Sequence, residues 1–429
     1  MKKTIFYILK KFLPNIIVSK LNFIYSKYID LSYFYKNYLN DFLRIRRLRD
    51  KKSINVVFLT INESMWKSST IYKKMVDNPY FNPVILVCPY TDYGDDRMKL
   101  DMERAYNFFQ KNNYKVYKSL LSDGGWLDVR GLNPDLFFFS YPHNLTISKY
   151  YNEIYEKYLC CYIPYSHGVS KYNNYYDQYN QQFHNSMWMI FVPNKYHKKI
   201  YLEFSNRRDV GVFDTGYPFC ENFFNKQKIN NADSKLNVII APHHTIEVDD
   251  HLQYSNFLKY ADFFRKLPTM FENNIKFFFK PHPILKSKLY SHPNWGVKKT
   301  DEYYSYWADN NNTSLQLGSY VNLFCNSDAL IHDSGSFLVE YLYLKKPVLY
   351  LESNKSIHID SLNEFGLNAK NSCKIGKCEQ DILDFLEKLI NNQETINSNF
   401  FDEELYPYFD NIMPSDKIIK LIFDKIKGK

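Results

Sequence analysis

The chain has 429 residues, of which 45% are apolar and 24% charged, so it is long enough for two ordinary domains with buried cores. Its formal charge of +9 comes from one end, because residues 1–52 hold 13 Lys and Arg against three Asp, a net charge of +10. The rest of the chain has a net charge of −1, which argues against a nucleic-acid-binding protein with basic residues spread over a folded face.

Seven cysteines fit neither a disulfide framework nor a zinc site, which is typical of reduced thiols in a cytosolic protein. The N-terminal apolar run is interrupted by Lys10 and Lys11, and no small-residue cleavage site follows, so we expect no signal peptide. No stretch reaches about 18 consecutive apolar residues, so the sequence predicts no membrane-spanning helix.

Residues 1–52 are predicted to form a basic amphipathic helical arm, bent at Pro14. Its apolar side chains recur at helical spacing and comprise Ile5, Phe6, Leu9, Phe12, Leu13, Ile16, Ile17, Leu21, Ile24, Tyr25 and Tyr28. Such an arm can lie peripherally on an anionic membrane surface, which we expect to be the cytoplasmic face of the cell membrane. The alternative is that the arm packs on the body of the protein as a cap.

Strands and helices alternate through the first half of the chain, residues 53–225. The predicted strands are Ile54–Leu59, Pro83–Cys88, Val116–Tyr117, Asp135–Phe139 and Cys160–Ile163. The predicted helices are Ser68–Val76 and Met102–Lys111. Mostly apolar strands alternating with helices predict a parallel sheet built from right-handed βαβ units.

The second half, residues 236–429, repeats this order after a polar stretch at Asn225–Lys235. Its predicted strands are Asn237–Ile240, Ile275–Phe279, Asp328–Ile331 and Pro347–Leu351, with helices at Ser255–Leu267, at Ser336–Leu344 and toward the C-terminus. The fold class is therefore α/β, with two Rossmann-like domains facing each other across a cleft. We expect the functional site in loops at the carboxyl ends of the strands.

Two strand ends in the second half carry polar residues suited to phosphate. Strand 275–279 runs into Lys280-Pro281-His282-Pro283, where two prolines hold an imidazole at the sheet edge. Strand 328–331 leads through His332 into Asp333-Ser334-Gly335-Ser336, directly before an apolar helix that carries Glu340. Free N–H groups, two hydroxyls and the helix dipole predict an anion cradle there, although Ser or Asp could also simply cap the helix.

Two further strand ends supply histidines. Ser166-His167-Gly168 follows a strand of the first half, which would put His167 across the cleft from His282 as a general base. His243-His244-Thr245 follows strand 237–240 and could add polar contacts to the donor side. No helical His-x3-His pair accompanies them, so the sequence predicts no metal site, and we expect no cofactor.

Taken together, these motifs resemble the CDP-glycerol glycerophosphotransferase family, which builds teichoic-acid-like and capsular polymers. The resemblance spans about residues 54–352. It rests on Ser327–Ser336 through Glu340-Tyr341-Leu342, on Lys346-Pro347-Val348, on Phe279-Lys280-Pro281-His282-Pro283 and on Gly216-Tyr217-Pro218. It implies a GT-B-type fold, an essential histidine at His282 near the donor phosphates, a base at His167, and a hydroxyl pair at Ser334 and Ser336.

This chain departs from the family pattern at three places where substrate would be contacted. Ser166 stands where members have an aromatic residue, and His243-His244-Thr245 stands where they often have Thr-Trp-Arg. His332-Asp333-Ser334-Gly335-Ser336 stands where they commonly read Thr-Asp-Tyr-Ser-Ser. The departures leave the fold expectation intact and bear on the identity of the donor.

The resemblance implies transfer of glycerol phosphate, or a related polyol phosphate, from a CDP-activated donor to a hydroxyl of a cell-surface glycan or polymer, with release of CMP. One alternative is a GT-B glycosyltransferase that uses a nucleotide sugar for capsule or lipopolysaccharide. A second alternative is a non-catalytic, membrane-bound scaffold for polymer assembly. The sequence leaves the acceptor and the oligomeric state open.

Overall fold

The computed structural model describes residues 32, 34–92, 94–224, 235–247, 254–352 and 362–429. Most of the predicted basic arm and the polar stretch at 225–234 therefore lie outside the described residues. Within the described residues, the chain forms two parallel sheets of seven and six strands. This confirms the predicted α/β class.

The first sheet has the strand order β3-β2-β1-β4-β5-β6-β7, and every pair in it is parallel. Its strands are β1 (Ile54–Thr60), β2 (Phe81–Val87), β3 (Val116–Lys118), β4 (Leu136–Phe139), β5 (Leu159–Tyr162), β6 (Met189–Val192) and β7 (Val212–Asp214). The sequence analysis did not predict strands β6 and β7. Both faces of this sheet are covered, which explains why the central strands read as continuous apolar runs.

The second sheet has the order β10-β9-β8-β11-β12-β13 and is also entirely parallel. Its strands are β8 (Leu236–Ala241), β9 (Ile275–Phe279), β10 (Thr313–Leu315), β11 (Ala329–His332), β12 (Val348–Leu351) and β13 (Lys374–Gly376). The two edge strands β10 and β13 were not predicted; each has only three residues.

Helices connect the strands and cover both faces of each sheet. In the first half they are Ser69–Val76, Asp95–Lys111, Asn152–Lys157, Tyr176–Tyr179, Gln182–Ser186, Lys195–Phe204 and Glu221–Phe224, preceded by a helix at 34–48. In the second half they are Phe257–Phe264, Leu267–Met270, Leu285–Ser291, Gly296–Asp309, Val321–Asn326, Gly335–Glu340, Glu364–Asn371, Glu379–Ile390 and Pro414–Lys427. The predicted helix 336–344 is an α-helix only to Glu340 and continues as a 3₁₀ turn, Tyr341–Leu344.

The last helix, Pro414–Lys427, crosses back to the first sheet. Its Ile418, Ile422 and Ile426 are fully buried in the same core as β1. The sequence placed all of 236–429 in the second unit, whereas this helix packs on the first. An amphipathic pattern shows that a helix has a buried face but not which sheet it covers.

One arginine of the helix at 34–48 hydrogen-bonds to the first half. The Arg44 guanidinium donates to the carbonyls of Tyr158 at 3.1 Å and Glu156 at 2.7 Å, and it pairs with Asp41 at 2.7 Å. Burial raises the pKa of Asp41 to about 6 despite that pairing. Among the described residues, no helix combines the length and the hydropathy that crossing a bilayer requires.

Candidate active site between the two sheets

The order of the second sheet brings three of the predicted loops together. Strand β8 lies between β9 and β11, and the carboxyl ends of parallel strands share one edge. The loops that begin at Pro242, Lys280 and Asp333 therefore meet at this edge. The amide of His282 donates to the carbonyl of Pro242 at 3.0 Å, which ties two of these loops to each other.

Three imidazoles meet at this edge, from His243, His244 and His282. The ring centroid of His282 lies 5.0 Å from that of His243 and 4.2 Å from that of His244. Their nearest potential ligand atoms all lie within 4.8 Å of one another, an arrangement that could hold a metal ion. The sequence argument against a metal considered spacing within one helix, whereas the structure assembles the group from two loops.

Hydrogen bonds favour an anion over a metal at these rings. The Thr245 hydroxyl oxygen accepts from the amides of Tyr254 and Ser255, at 3.0 and 3.2 Å, so its own proton is directed to Nδ1 of His243 at 3.0 Å. Nδ1 of His282 accepts from the amide of Ile284 at 3.2 Å. Both neutral rings therefore carry their proton on Nε2, where they can donate to an oxyanion.

Burial also keeps these rings neutral. It lowers the pKa of His243 and of His282 well below the ordinary value of 6.5, and the neighbouring imidazoles lower both further. At neutral pH the rings of His243 and His282 are therefore uncharged N–H donors.

Lys280 is a buried cation at this edge. Its side chain is 4% exposed, and its ammonium has no hydrogen-bond or ion-pair partner among the described residues. Burial, with a smaller contribution from Lys67, lowers the pKa of Lys280 to about 8. A buried charge without a counter-ion is costly, so this position favours a bound anion.

Asp333 holds backbone in place at the predicted cradle. Its two carboxylate oxygens accept from the amides of His243 and Asn256, each at 2.6 Å. Burial raises the pKa of Asp333 to about 7. The carboxylate thus fixes the loop that carries two of the three imidazoles.

The segment after Asp333 begins a helix of six residues, Gly335–Glu340. Ser334 is its N-cap residue but makes no side-chain capping bond, and Ser336 is exposed, so both hydroxyls are available. A β-carbon added to Gly335 would lie 3.3 Å from Val169 of the first half. Glycine at this position therefore permits a close approach of the two halves.

The His167 loop is held by the second half. The Asn363 side chain donates to the carbonyl of Gly168 at 2.6 Å, and the Asn363 amide donates to the carbonyl of Val169 at 2.9 Å. Gly168 has φ +63°, which suits glycine. The structure thus brings segments 166–168 and 333–336 to the same interface between the two halves.

His167 itself is 1% exposed. Its Nε2 lies 3.2 Å from the Tyr343 hydroxyl of the second half, and its ring centroid lies 4.3 Å from that of Tyr217 in the Gly-Tyr-Pro motif. Burial lowers the pKa of His167 well below 6.5, and His197 and Lys67 lower it further. A neutral imidazole can accept a proton, as a general base must.

Lys67 is a site residue that the sequence reasoning missed. Its buried ammonium pairs with Glu340 at 3.4 Å and is hydrogen-bonded to Tyr320, whose hydroxyl donates to the same carboxylate. It also lies 4.1 Å from the centre of the Phe219 ring. The feature of the sequence that could have identified Lys67 is its place shortly after β1, because the other candidate residues also follow the carboxyl ends of strands.

The Glu340 carboxylate is therefore bound by the Lys67 ammonium and by the Tyr320 hydroxyl. Burial raises the pKa of Glu340, and Lys67 opposes that rise. Lys67 also lowers the pKa of both His167 and Lys280, so it lies within electrostatic range of each half of the site.

A cavity of ≈ 160 Å³ lies elsewhere, at the amino ends of β12 and β13. Two of the lysines that line it are already paired with other groups of the protein. Lys345 pairs with Asp402 at 2.7 Å, and the Lys346 ammonium donates to the backbone carbonyls of Phe324, Cys325 and Ser327. We therefore take the edge that carries His282 as the candidate site.

With this geometry established, comparison with known proteins decides the family. Residues 164–424, more than half of the chain, match the model of the CDP-glycerol:poly(glycerophosphate) glycerophosphotransferases. The chain belongs to this family. It is therefore a transferase, and the resemblance read from its motifs is confirmed. No curated protein sequence matches this family member closely enough to count as a relative.

Solved structures share the fold of this glycerophosphotransferase-family chain. A variant of the wall teichoic acid polymerase TagF superposes with a TM-score of 0.57 at 15% identity, covering 93% of this chain and 98% of that one. The UDP-GlcNAc 2-epimerase of Methanocaldococcus jannaschii, with UDP-GlcNAc and UDP, gives 0.54 at 13% identity, covering 86% and 99%. That of Neisseria meningitidis gives 0.53 at 15%, covering 87% and 100%. These likenesses support the predicted GT-B-type architecture.

Replacing Lys67 by Met should leave Glu340 buried without its cation. We expect a loss of about 3–5 kcal/mol in the free energy of unfolding, measured by urea denaturation. The double variant Lys67→Met/Glu340→Met should recover most of that loss, since it removes both charges. Lys73→Met, at an exposed position, serves as control, and a Lys67→Met protein as stable as the parent would contradict the assignment.

Proposed function

We propose that this family member transfers glycerol phosphate, or a related polyol phosphate, from a CDP-activated donor to a hydroxyl of a cell-surface glycan or polymer. The observation that carries the proposal is the ammonium of the buried Lys280, without an ion-pair partner among the described residues, at the same sheet edge as the Nε2–H donors of His243 and His282. A diphosphate supplies the negative charge and the acceptor oxygens that this edge lacks.

In this mechanism the acceptor oxygen attacks the β-phosphorus of the donor. A new P–O bond forms, the bond from that phosphorus to the bridging oxygen breaks, and CMP leaves with the bridging oxygen. Lys280, His282 and His243 stabilise charge on the phosphate oxygens, with Ser334 and Ser336 as further hydroxyl donors. His167 takes the proton of the attacking hydroxyl. Such catalysis depends on positioning and on electrostatic stabilisation.

His244 and Thr245 support this donor side in different ways. His244 adds a third imidazole to the cluster, whereas the Thr245 hydroxyl orients the His243 ring. Ser166 and Gly168 belong to the acceptor side because they flank His167. Asp333 acts by holding the backbone amides of His243 and Asn256, and Glu340 acts by holding Lys67. In this proposal neither carboxylate contacts the phosphate.

A donor panel tests the function. The purified protein, with a polyol-phosphate or glycan acceptor, should release CMP from CDP-glycerol or CDP-ribitol. UDP release from UDP-sugars instead would favour the glycosyltransferase alternative, and no release from any donor would favour a non-catalytic scaffold. His282→Ala should abolish CMP release, and full activity in this variant would rule out the mechanism.

Lys280→Met should raise the donor KM about tenfold or more, since it removes a charge-assisted contact worth roughly 1.5–3 kcal/mol. Lys276→Met is the matched control, because Lys276 lies on the same strand away from the carboxyl edge. An equal change in both variants would contradict the role of Lys280.

The pH dependence should report Lys280. Because its pKa is about 8 in the free protein, it is charged below that pH and loses its charge above it. We expect kcat/KM for the donor to fall as the pH rises through about 8. Lys280→Arg keeps its charge throughout and should lose this decline. A decline of the same midpoint in the Lys280→Arg variant would assign it to another group.

We also propose that the protein lies on the cytoplasmic surface of the membrane through its N-terminal arm. One face of the helix at 34–48 carries five strongly exposed apolar side chains: Tyr35, Tyr38, Leu39, Phe42 and Leu43. The opposite face is buried through Phe34, Asn37, Asp41 and Leu48. Together with the net charge of +10 over residues 1–52, this face suits an anionic bilayer.

Vesicle sedimentation tests this attachment. We expect binding to phosphatidylglycerol vesicles, little binding to phosphatidylcholine vesicles, and a roughly tenfold loss for Leu39→Asp/Phe42→Asp. Val297→Asp, at an exposed apolar position of the second half, is the control. Unchanged binding of the double variant would favour packing of the arm on the protein body.

A further inference from the structure

The cavity of ≈ 160 Å³ at the amino ends of β12 and β13 lies at the edge of the second sheet opposite to the candidate active site. All strands of this sheet are parallel, so their amino ends share one edge and their carboxyl ends share the other. Residues from three segments, 342–348, 371–374 and 395–401, line this amino-end cavity. The proposed transfer uses none of them.

Lysines supply all the charge of the lining. Lys345, Lys346 and Lys374 line the cavity, and no Asp or Glu does. The Lys346 ammonium is held by three backbone carbonyls, which leaves the other two lysines to meet a ligand. Lys345 is 44% exposed where it pairs with Asp402, and Lys374 is 52% exposed and lies 3.9 Å from Glu394, beyond hydrogen-bond distance. Ion pairs with so exposed an ammonium are weak, so both lysines can turn to a phosphate.

Neutral hydrogen-bonding side chains surround these lysines. They are Asn371, Ser372, Thr395, Asn397 and Ser398. Within the part of the chain that the structure describes, the side chains of Asn371 and Thr395 form no hydrogen bond. Amide and hydroxyl groups both donate to and accept from the hydroxyls of polyols and sugars. Ile396, 48% exposed, adds apolar surface for the carbon atoms between those hydroxyls.

Together these groups select a ligand that carries both negative charge and hydroxyl groups. A neutral glycan would leave the two ammonium groups without partners, and inorganic phosphate would leave the apolar surface of Ile396 uncovered. A chain of polyol units joined by phosphodiesters offers phosphate oxygens and hydroxyls in alternation, next to short carbon segments. Charge-assisted contacts from lysine to phosphate are the stronger part of such recognition.

We propose that the amino-end cavity is an accessory binding site for a polyol-phosphate polymer, with Lys345 and Lys374 on its phosphodiesters and Asn371 and Thr395 on its hydroxyls. That this polymer is the acceptor rests on the proposed function, whereas its binding at the cavity requires no donor. No bond forms or breaks there. The cavity holds a distant part of a long acceptor while the end of that acceptor is at the candidate active site.

A synthetic trimer of glycerol phosphate is the probe, and its binding to the full chain is measured by isothermal titration calorimetry. The parent should bind it saturably, more weakly as salt is added, and more tightly than uncharged triglycerol. Lys345→Gln/Lys374→Gln should weaken binding about tenfold, as expected for the loss of two exposed charge contacts. Lys298→Gln is the matched control, because Lys298 is exposed on the helix before β10, at the other side of the sheet, and should bind as the parent does.

The candidate active site could also take up the trimer through Lys280, so the titration is repeated with Lys280→Met. The binding that is sensitive to Lys345 and Lys374 should persist in this variant. Equal affinity of the parent and the double variant, no saturable binding by the parent, or binding that is lost entirely in Lys280→Met would overturn the proposal. If the double variant does not fold, Asn371→Ala, at an exposed position, should weaken binding in the same direction.

The donor panel is an independent experiment. Trimer binding that depends on Lys345 and Lys374 without CMP release from any donor would retain the accessory site and remove the transferase proposal. CMP release together with equal trimer binding by the parent and the double variant would retain the transferase and remove the accessory site.

Discussion

A buried ion pair between the two halves organises the site. Lys67 follows the first strand of the first sheet, and Glu340 ends the helix after β11, so neither half holds this pair alone. Two charges are removed from water here, and each depends on the other for compensation. The Tyr320 hydroxyl and the Phe219 ring complete the surroundings of the ammonium. His167 and Lys280 both lie within electrostatic range of Lys67, so its position links the two halves of the candidate site.

Charge is distributed unevenly around that pair. At the edge of the second sheet, the buried Lys280 has no carboxylate partner among the described residues, and burial keeps the His243 and His282 rings neutral. This edge is therefore electropositive. In the first half, a cavity next to His167 is lined by neutral groups alone. This difference suits the proposed transfer, in which one substrate carries a diphosphate and the other a hydroxyl.

Several residues that might contact substrate instead hold the loops that do. The Asp333 carboxylate binds two backbone amides, the Thr245 hydroxyl orients the His243 ring, and Asn363 holds the backbone after His167. The last helix returns to the first sheet, and Gly216, with φ +90°, lies where a β-carbon would be 2.8 Å from Pro414 at its start. Positioning of the site is thus spread through both halves of the chain.

The sequence by itself determined the α/β class, the family and the strand ends that bear His167, His282 and the 333–336 segment. It could do so because buried parallel strands are continuous apolar runs, and because polar residues at their carboxyl ends interrupt that pattern. Short strands such as β7 and β10 carry too few residues to show a period.

Only the tertiary structure decided which residues are partners. In the structure Lys67 pairs with Glu340, and three histidines from two loops lie together. Asp333 accepts hydrogen bonds from backbone amides, and the C-terminal helix packs on the first sheet. Each of these features depends on contacts between segments far apart in sequence. The local pattern of side chains in one segment does not show which distant segment it contacts.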